Sequence, residues 1–184
     1  EKIRSFGASF DYYAVDVTDY DALSRVIDQI HREHGLINGL IHGSGIVGQK
    51  REKMADSFRE VLYTKAASAF YLYQLLKNDP LQFAVMFSSI SSYTGGPNLS
   101  DYSAANEILN EIAYDWNRRV DYPVKSILWS FWSDTGLAKS MAASNLVGIR
   151  SVEGVRMLLE ELLYGDKAEE KVVYINESVL EYSI

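Results

Sequence analysis

Ser89 and Tyr102 stand 13 residues apart and could share one reaction. Ser89 closes the near-continuous apolar run "LQFAVMFSS" (81–89), which predicts a strand covered on both faces. Tyr102 opens the helical segment "DYSAANEILNEIAYDWNRR". A strand end and a following helix start meet at the carboxyl edge of a parallel sheet, so both side chains can face one crevice. Reducing a carbonyl requires a proton donor near the oxygen and a second hydrogen bond to hold that oxygen. The phenol can supply the first and the serine hydroxyl the second. A free phenol titrates near 10, so a nearby cation is required to make it a better acid.

The elements that must position this pair alternate along the chain. "FDYYAV" (10–15) reads as a short strand. "DVTDYDALSRVIDQIHREHG" then reads as a helix capped by Thr18 or Asp19, with Leu23, Val26, Ile27 and Ile30 on one face. "INGLIH" (37–42) is a second strand, and a helical region from about 52 to 77 is expected to break near Leu62. After 81–89 come the loop "ISSYTGGPNLS", the helix that carries Tyr102, the strand "VKSILW", the helix "SVEGVRMLLEELLYG" and the strand "KVVYI". This alternation predicts right-handed crossovers and an α/β doubly wound parallel sheet with helices on both faces.

The segments "FSSISSYTGGPNLSDY" and "YSAAN" resemble the ketoreductase domains of modular polyketide synthases, within the short-chain dehydrogenase/reductase superfamily. Most members of that superfamily carry a lysine four residues after the tyrosine, where this chain has Asn106. Polyketide ketoreductases swap the two, with the lysine on the preceding helix, and Lys65 in "LYTKAASAF" lies 24 residues before Ser89, as that pattern requires. The resemblance thus implies a catalytic set of Lys65, Ser89, Tyr102 and Asn106. It also implies NADPH as cofactor. "DVTD", with Asp16 and Val17, resembles the segment that contacts adenine. "IHGSG", with His42, Gly43, Ser44 and Gly45, resembles the HAAG turn beneath the cofactor, and Lys65 and Tyr102 would border the nicotinamide ribose. "LWSFWSDTG" is similar to the WGPW-containing loop, with Ser130 and Phe131 in place of Gly and Pro. The implied activity is reduction of a β-ketoacyl thioester to a β-hydroxyacyl thioester. The implied partners are an acyl carrier protein bearing the substrate on phosphopantetheine and other synthase domains. A free-standing reductase of small ketones and a non-catalytic structural domain are the alternatives.

Competing motifs are weaker. Gly43, Gly45 and Gly48 match G-x-G-x-x-G, but the charged "QKREKMAD" follows, and the helix "ASAFYLYQLL" stands where a strand with an acidic tip should be, so the match is accidental as a dinucleotide fingerprint. Tyr73 and Lys77 form Y-x-x-x-K within a helix without a strand-terminal serine upstream, and read as structural. His31 and His34 read as solvated, and His42, at the end of a buried strand, as a core histidine. No His, Asp and Glu cluster has metal-ligand spacing.

Composition narrows the remaining classes. A length of 184 residues suits roughly one domain, and 47% hydrophobic residues suffice for a core. A net charge of −7 with no long basic run argues against nucleic acid, the absence of cysteine excludes a disulfide scaffold, and no apolar run reaches the roughly 18 residues of a membrane span. A cytoplasmic location is expected. The superfamily's Gly-rich turn and first two strands would precede residue 1, so residues 1–184 are expected to form a single catalytic ketoreductase domain whose amino-terminal nucleotide-binding portion is missing.

Overall fold

The structure, a computed structural model, describes residue 5 and residues 7–47, 55–136 and 148–175. Its centre is a four-stranded sheet of β1 (Gly39–His42), β2 (Phe83–Ser89), β3 (Val124–Trp129) and β4 (Lys171–Tyr174). The spatial order is β1-β2-β3-β4 and every pair is parallel. Helices join the strands: α1 (Tyr20–His34) before β1, α2 (Ala55–Leu62) and α3 (Ser68–Leu76) before β2, α4 (Ser91–Thr94) and α5 (Ser100–Asn117) before β3, and α6 (Ser151–Tyr164) before β4. This is the doubly wound arrangement that the alternation predicts.

Period-two alternation along β2 and β3 divides two cores between the sheet faces. Ala84, Met86 and Val124 face Leu23 and Ile27 of α1, Leu72 and Leu76 of α3, and Leu109, Ala113 and Trp116 of α5. Val85, Ile127 and Trp129 face the opposite way, against Ile149 and Leu158 of α6. On that second face Phe87, Trp129, Trp132 and Tyr174 form an aromatic cluster with ring centroids 5.1–6.3 Å apart. Lys125, buried beside it, pairs with Glu161 of α6 at 2.8 Å and donates to the carbonyls of Asp166 and Glu169.

Three expectations change. Residues 10–15 form no strand: the sheet ends at β1, and without a ladder partner among the described residues the β-rich composition of "FDYYAV" has nothing to pair with. The segment is tied down by side chains instead, Val15 against the α1 core and the Tyr13 hydroxyl donating to Glu33 at 2.7 Å. His31 is not simply solvated, because its Nε2 lies 2.8 Å from the buried Asp79 carboxylate, which also accepts from the Ile37 N–H. The loop after β2 contains the single-turn helix α4. The cap of α1 resolves to Asp19, whose carboxylate accepts from the Ala22 N–H at 2.9 Å. Gly48 and residues 51–54, the latter forming part of the expected helical region, lie outside the described residues.

Candidate active site

The break expected near Leu62 is a π-helical turn, Tyr63–Ala67, inserted between α2 and α3. A π turn adds a residue to the helical repeat and re-aims the side chains that follow, and such turns recur at functional sites. Here it carries Lys65 into the protein, where only 4% of the residue remains exposed. The ammonium donates to the Phe87 carbonyl at 2.9 Å, one residue beyond the last β1–β2 pair, His42 with Met86. It also lies 5.5 Å from the centroid of the Tyr102 ring. Burial lowers the Lys65 pKa to about 8, so the amine remains mostly charged at neutral pH.

Tyr102 stands in the first turn of α5, a helix held against β2, β3, α2 and the π turn. Asp101 beside it is buried and its carboxylate accepts the Tyr102 N–H at 2.8 Å, which fixes the backbone at the point where the phenol leaves the helix. Burial raises the phenol pKa, while hydrogen bonds with Asn106 and Ser89 act in the opposite direction. Burial therefore outweighs these two hydrogen bonds, and the net shift is upward, opposite to the lowering expected of a nearby cation. The phenol keeps its proton at neutral pH, the form a proton donor must have.

Ser89 ends β2 opposite Trp129, and its Oγ accepts from the Ser91 N–H at 3.2 Å. Asn106 is fully buried one turn after Tyr102. Its Nδ2 donates to the Tyr102 carbonyl at 2.8 Å, and its Oδ1 has no partner among the described residues. The structure therefore brings Lys65, Ser89, Tyr102 and Asn106 to one place at the carboxyl end of β2.

The turn after β1 borders the same place. A Cβ on Gly45 would lie 3.2 Å from Lys65 Nζ, so glycine lets this backbone approach the ammonium, while a Cβ on Gly43 would meet nothing within 4 Å. Gly43 is exposed and Ser44 half-buried. The His42 ring turns away into the core, with Nε2 2.7 Å from Ser68 Oγ. Asp16 is exposed, and its carboxylate accepts from the Thr18 N–H and hydroxyl at 2.9 and 2.8 Å; Val17 is half-buried. In the Y-x-x-x-K pair Tyr73 packs on Trp116 at 5.0 Å, and Lys77 is exposed at the end of α3. Sequence reasoning missed the contribution of Phe87 to the site, since a backbone carbonyl leaves no trace in residue identity.

These features suit a nicotinamide nucleotide. One of the ammonium's three N–H groups is taken by Phe87, leaving donors for sugar hydroxyls, and the glycine turn gives open backbone at the sheet's carboxyl edge. Among the described residues no group of His, Asp and Glu could hold a metal ion, and no helix is long and apolar enough to cross a membrane.

A parallel sheet with a serine, a tyrosine and a buried lysine gathered at its carboxyl edge defines a Rossmann-like fold of the short-chain dehydrogenase/reductase kind. The chain belongs to the KR domain family, whose model matches residues 1–134. It is 30% identical over 176 residues to the polyketide synthase PksN of Bacillus subtilis, covering 88% of this chain and 3% of that protein. It is 32% identical over 155 residues to the erythronolide synthase EryA2 of Saccharopolyspora erythraea, covering 80% and 4%. Among solved structures, an N-terminal ketoreductase from the macrolactin assembly line superposes with a TM-score of 0.83 at 23% identity, over all of this chain and 38% of that one. The ketoreductase from the first module of phoslactomycin biosynthesis in Streptomyces sp. HK803 gives 0.82 at 26% identity, over 93% and 40%. An NAD+-bound xylitol dehydrogenase shares the fold at a TM-score of 0.73. The chain thus spans a few per cent of the synthases and well under half of the two ketoreductases.

Proposed function

We propose that this chain is the catalytic part of a ketoreductase that reduces a β-ketoacyl thioester, carried on an acyl carrier protein, to the β-hydroxyacyl thioester during polyketide assembly. The observation that carries the reading is the convergence of Lys65, Ser89, Tyr102 and Asn106 beside the Gly43–Gly45 turn. Membership of the KR family supports it.

Ser89 Oγ donates to the substrate carbonyl oxygen and holds it against Tyr102. When bound, NADPH supplies the hydride that becomes the new C–H bond, leaving as NADP+. The phenol passes its proton to the oxygen as the carbonyl π electrons move onto it, completing the alcohol. Lys65 stabilises the resulting phenolate across the ring and would hold the ribose hydroxyls of a bound dinucleotide, and Asn106 fixes the helical turn behind the phenol. Asp16 and Val17 would lie along the adenine, and Gly43, Ser44, Gly45, Lys65 and Tyr102 around the rest of the dinucleotide, with His42 contributing only its backbone because its ring is turned into the core.

The test is substrate choice. The full-length protein is supplied with NADPH and either a carrier-bound β-ketoacyl thioester or a small free ketone, and the alcohol is quantified by mass spectrometry. The proposal expects a kcat/KM for the carrier-bound thioester at least about 10-fold higher. Preference for the free ketone points to a free-standing reductase, and no turnover of either points to a structural domain.

A further inference from the structure

We propose that His42 is a positioning residue: through Ser68 it holds the Tyr63–Ala67 turn in its π register, and that register aims Lys65 at the active site. The argument begins with the backbone. At the end of the turn the Ser68 N–H reaches five residues back to the Tyr63 carbonyl, where an α-helix would send it four back to Thr64. The Thr64 carbonyl is taken instead by the Ser68 hydroxyl, which donates to it at 2.7 Å. One side chain thus replaces the α-type hydrogen bond that the π turn gives up.

The Ser68 hydroxyl has a single hydrogen. Spent on Thr64, it leaves the Ser68 oxygen as an acceptor, so the His42 nitrogen 2.7 Å away must be the protonated one. The ring is therefore the Nε2–H tautomer. Its buried Nδ1 has no partner among the described residues, as fits a neutral imidazole whose other nitrogen carries the hydrogen. Burial, reinforced by the nearby Lys65 charge, lowers the ring's pKa to about 4 and keeps it neutral. Both His42 and Ser68 are almost wholly buried, at 2% and 0% exposure, so water does not compete for this relay. Lys65 lies between Thr64 and Ser68 in sequence. A return to the α register would rotate its side chain about the helix axis, away from Phe87 and Tyr102.

The significance for catalysis rests on the reductase reading, but the placement of Lys65 does not. Full-length His42→Ala and Ser68→Ala variants are compared with wild type and with His42→Gln, whose Nε2 keeps an N–H donor at similar reach. Two readouts are taken on samples of matched thermal unfolding midpoint: the rate at which Lys65 is reductively methylated, mapped by mass spectrometry, and kcat and KM for the β-ketoacyl thioester. Methylation of Lys65 is expected to rise at least about 5-fold in His42→Ala and Ser68→Ala and to stay within about 2-fold of wild type in His42→Gln. Turnover should follow the same order, with kcat down about 10-fold or more at nearly constant KM, because displacement of a positioned group by about an ångström is costly. If the two alanine variants misfold, two milder variants serve: Ser68→Thr, which keeps the hydroxyl, is expected to leave Lys65 protected, and Ser68→Cys, whose thiol donates weakly, to expose it. Unchanged Lys65 labelling in folded relay-breaking variants overturns the proposal. Changed labelling in a protein that turns over no thioester in any form supports the relay and removes the reductase reading alone.

Discussion

Lys65 Nζ sits 5.5 Å from the Tyr102 ring centroid while anchored at 2.9 Å to the Phe87 carbonyl. A charge on the π turn, a phenol on α5 and the backbone of β2 are thereby locked into one geometry. The charge states follow from the same burial. Lys65 titrates at about 8, and Tyr102 is raised above its ordinary value, so both are protonated together on the acid side of 8.

Reduction needs the phenol proton and the lysine charge at once, which sets the pH dependence. Below about 8 kcat/KM is expected to be flat as far as the lysine is concerned; above it the rate falls as Lys65 loses its proton. Lys65→Met should lower kcat about 100-fold or more and remove this alkaline limb. A pH–rate profile of the reductive direction for both proteins checks it.

His42 makes the opposite contribution at low pH. Its pKa is about 4 in the fold, against 6.5 for a free imidazole. Above 6.5 neither state binds the proton, whereas between 6.5 and 4 the unfolded chain binds it and the folded chain does not. Stability is therefore lost as pH falls through that window. His42→Gln, which cannot titrate, should lose less between pH 6.5 and 4 than wild type does. Urea unfolding of the two proteins at both pH values measures the difference.

The buried Lys125–Glu161 pair lies on the other face of the sheet, with side chains 2% and 9% exposed. Lys125→Met leaves Glu161 as an unpaired buried carboxylate and strips two carbonyls of their donor, so a loss of about 3–5 kcal/mol is expected. Adding Glu161→Leu should recover a substantial part of that loss, since an apolar pair of similar volume removes the unpaired charge. Denaturant melts of the single and double variants test it. Equal stability of Lys125→Met and wild type would contradict the account of this pair.

Most of this architecture was legible in the residues. β3 falls on "VKSILW", a short β-rich run that follows Pro123, and α6 is bounded by Ser151 and Tyr164 beside the Gly165 stop. The run 10–15 misled because Tyr and Val favour a strand only where a ladder exists to receive them. Ser89 and Tyr102 could be paired from their types and spacing, whereas Lys65 and Asn106 entered only through the family resemblance. What stayed hidden was how Lys65 reaches Tyr102: a π turn has no composition of its own, and the Ser68 and His42 side chains that satisfy it are ordinary core residues until their hydrogen bonds are seen. The net direction of the Tyr102 shift was hidden as well, since burial is a property of the packed site.

Tyr102 carries the central claim, and one experiment isolates it. Single-turnover reduction of a carrier-bound β-ketoacyl thioester is measured in the full-length protein and in Tyr102→Phe, with NADPH affinity titrated on both. The account predicts that the variant binds NADPH within about 3-fold of wild type and reduces the thioester on the order of 10² to 10⁴ times more slowly. Reduction by Tyr102→Phe at the wild-type rate would contradict it.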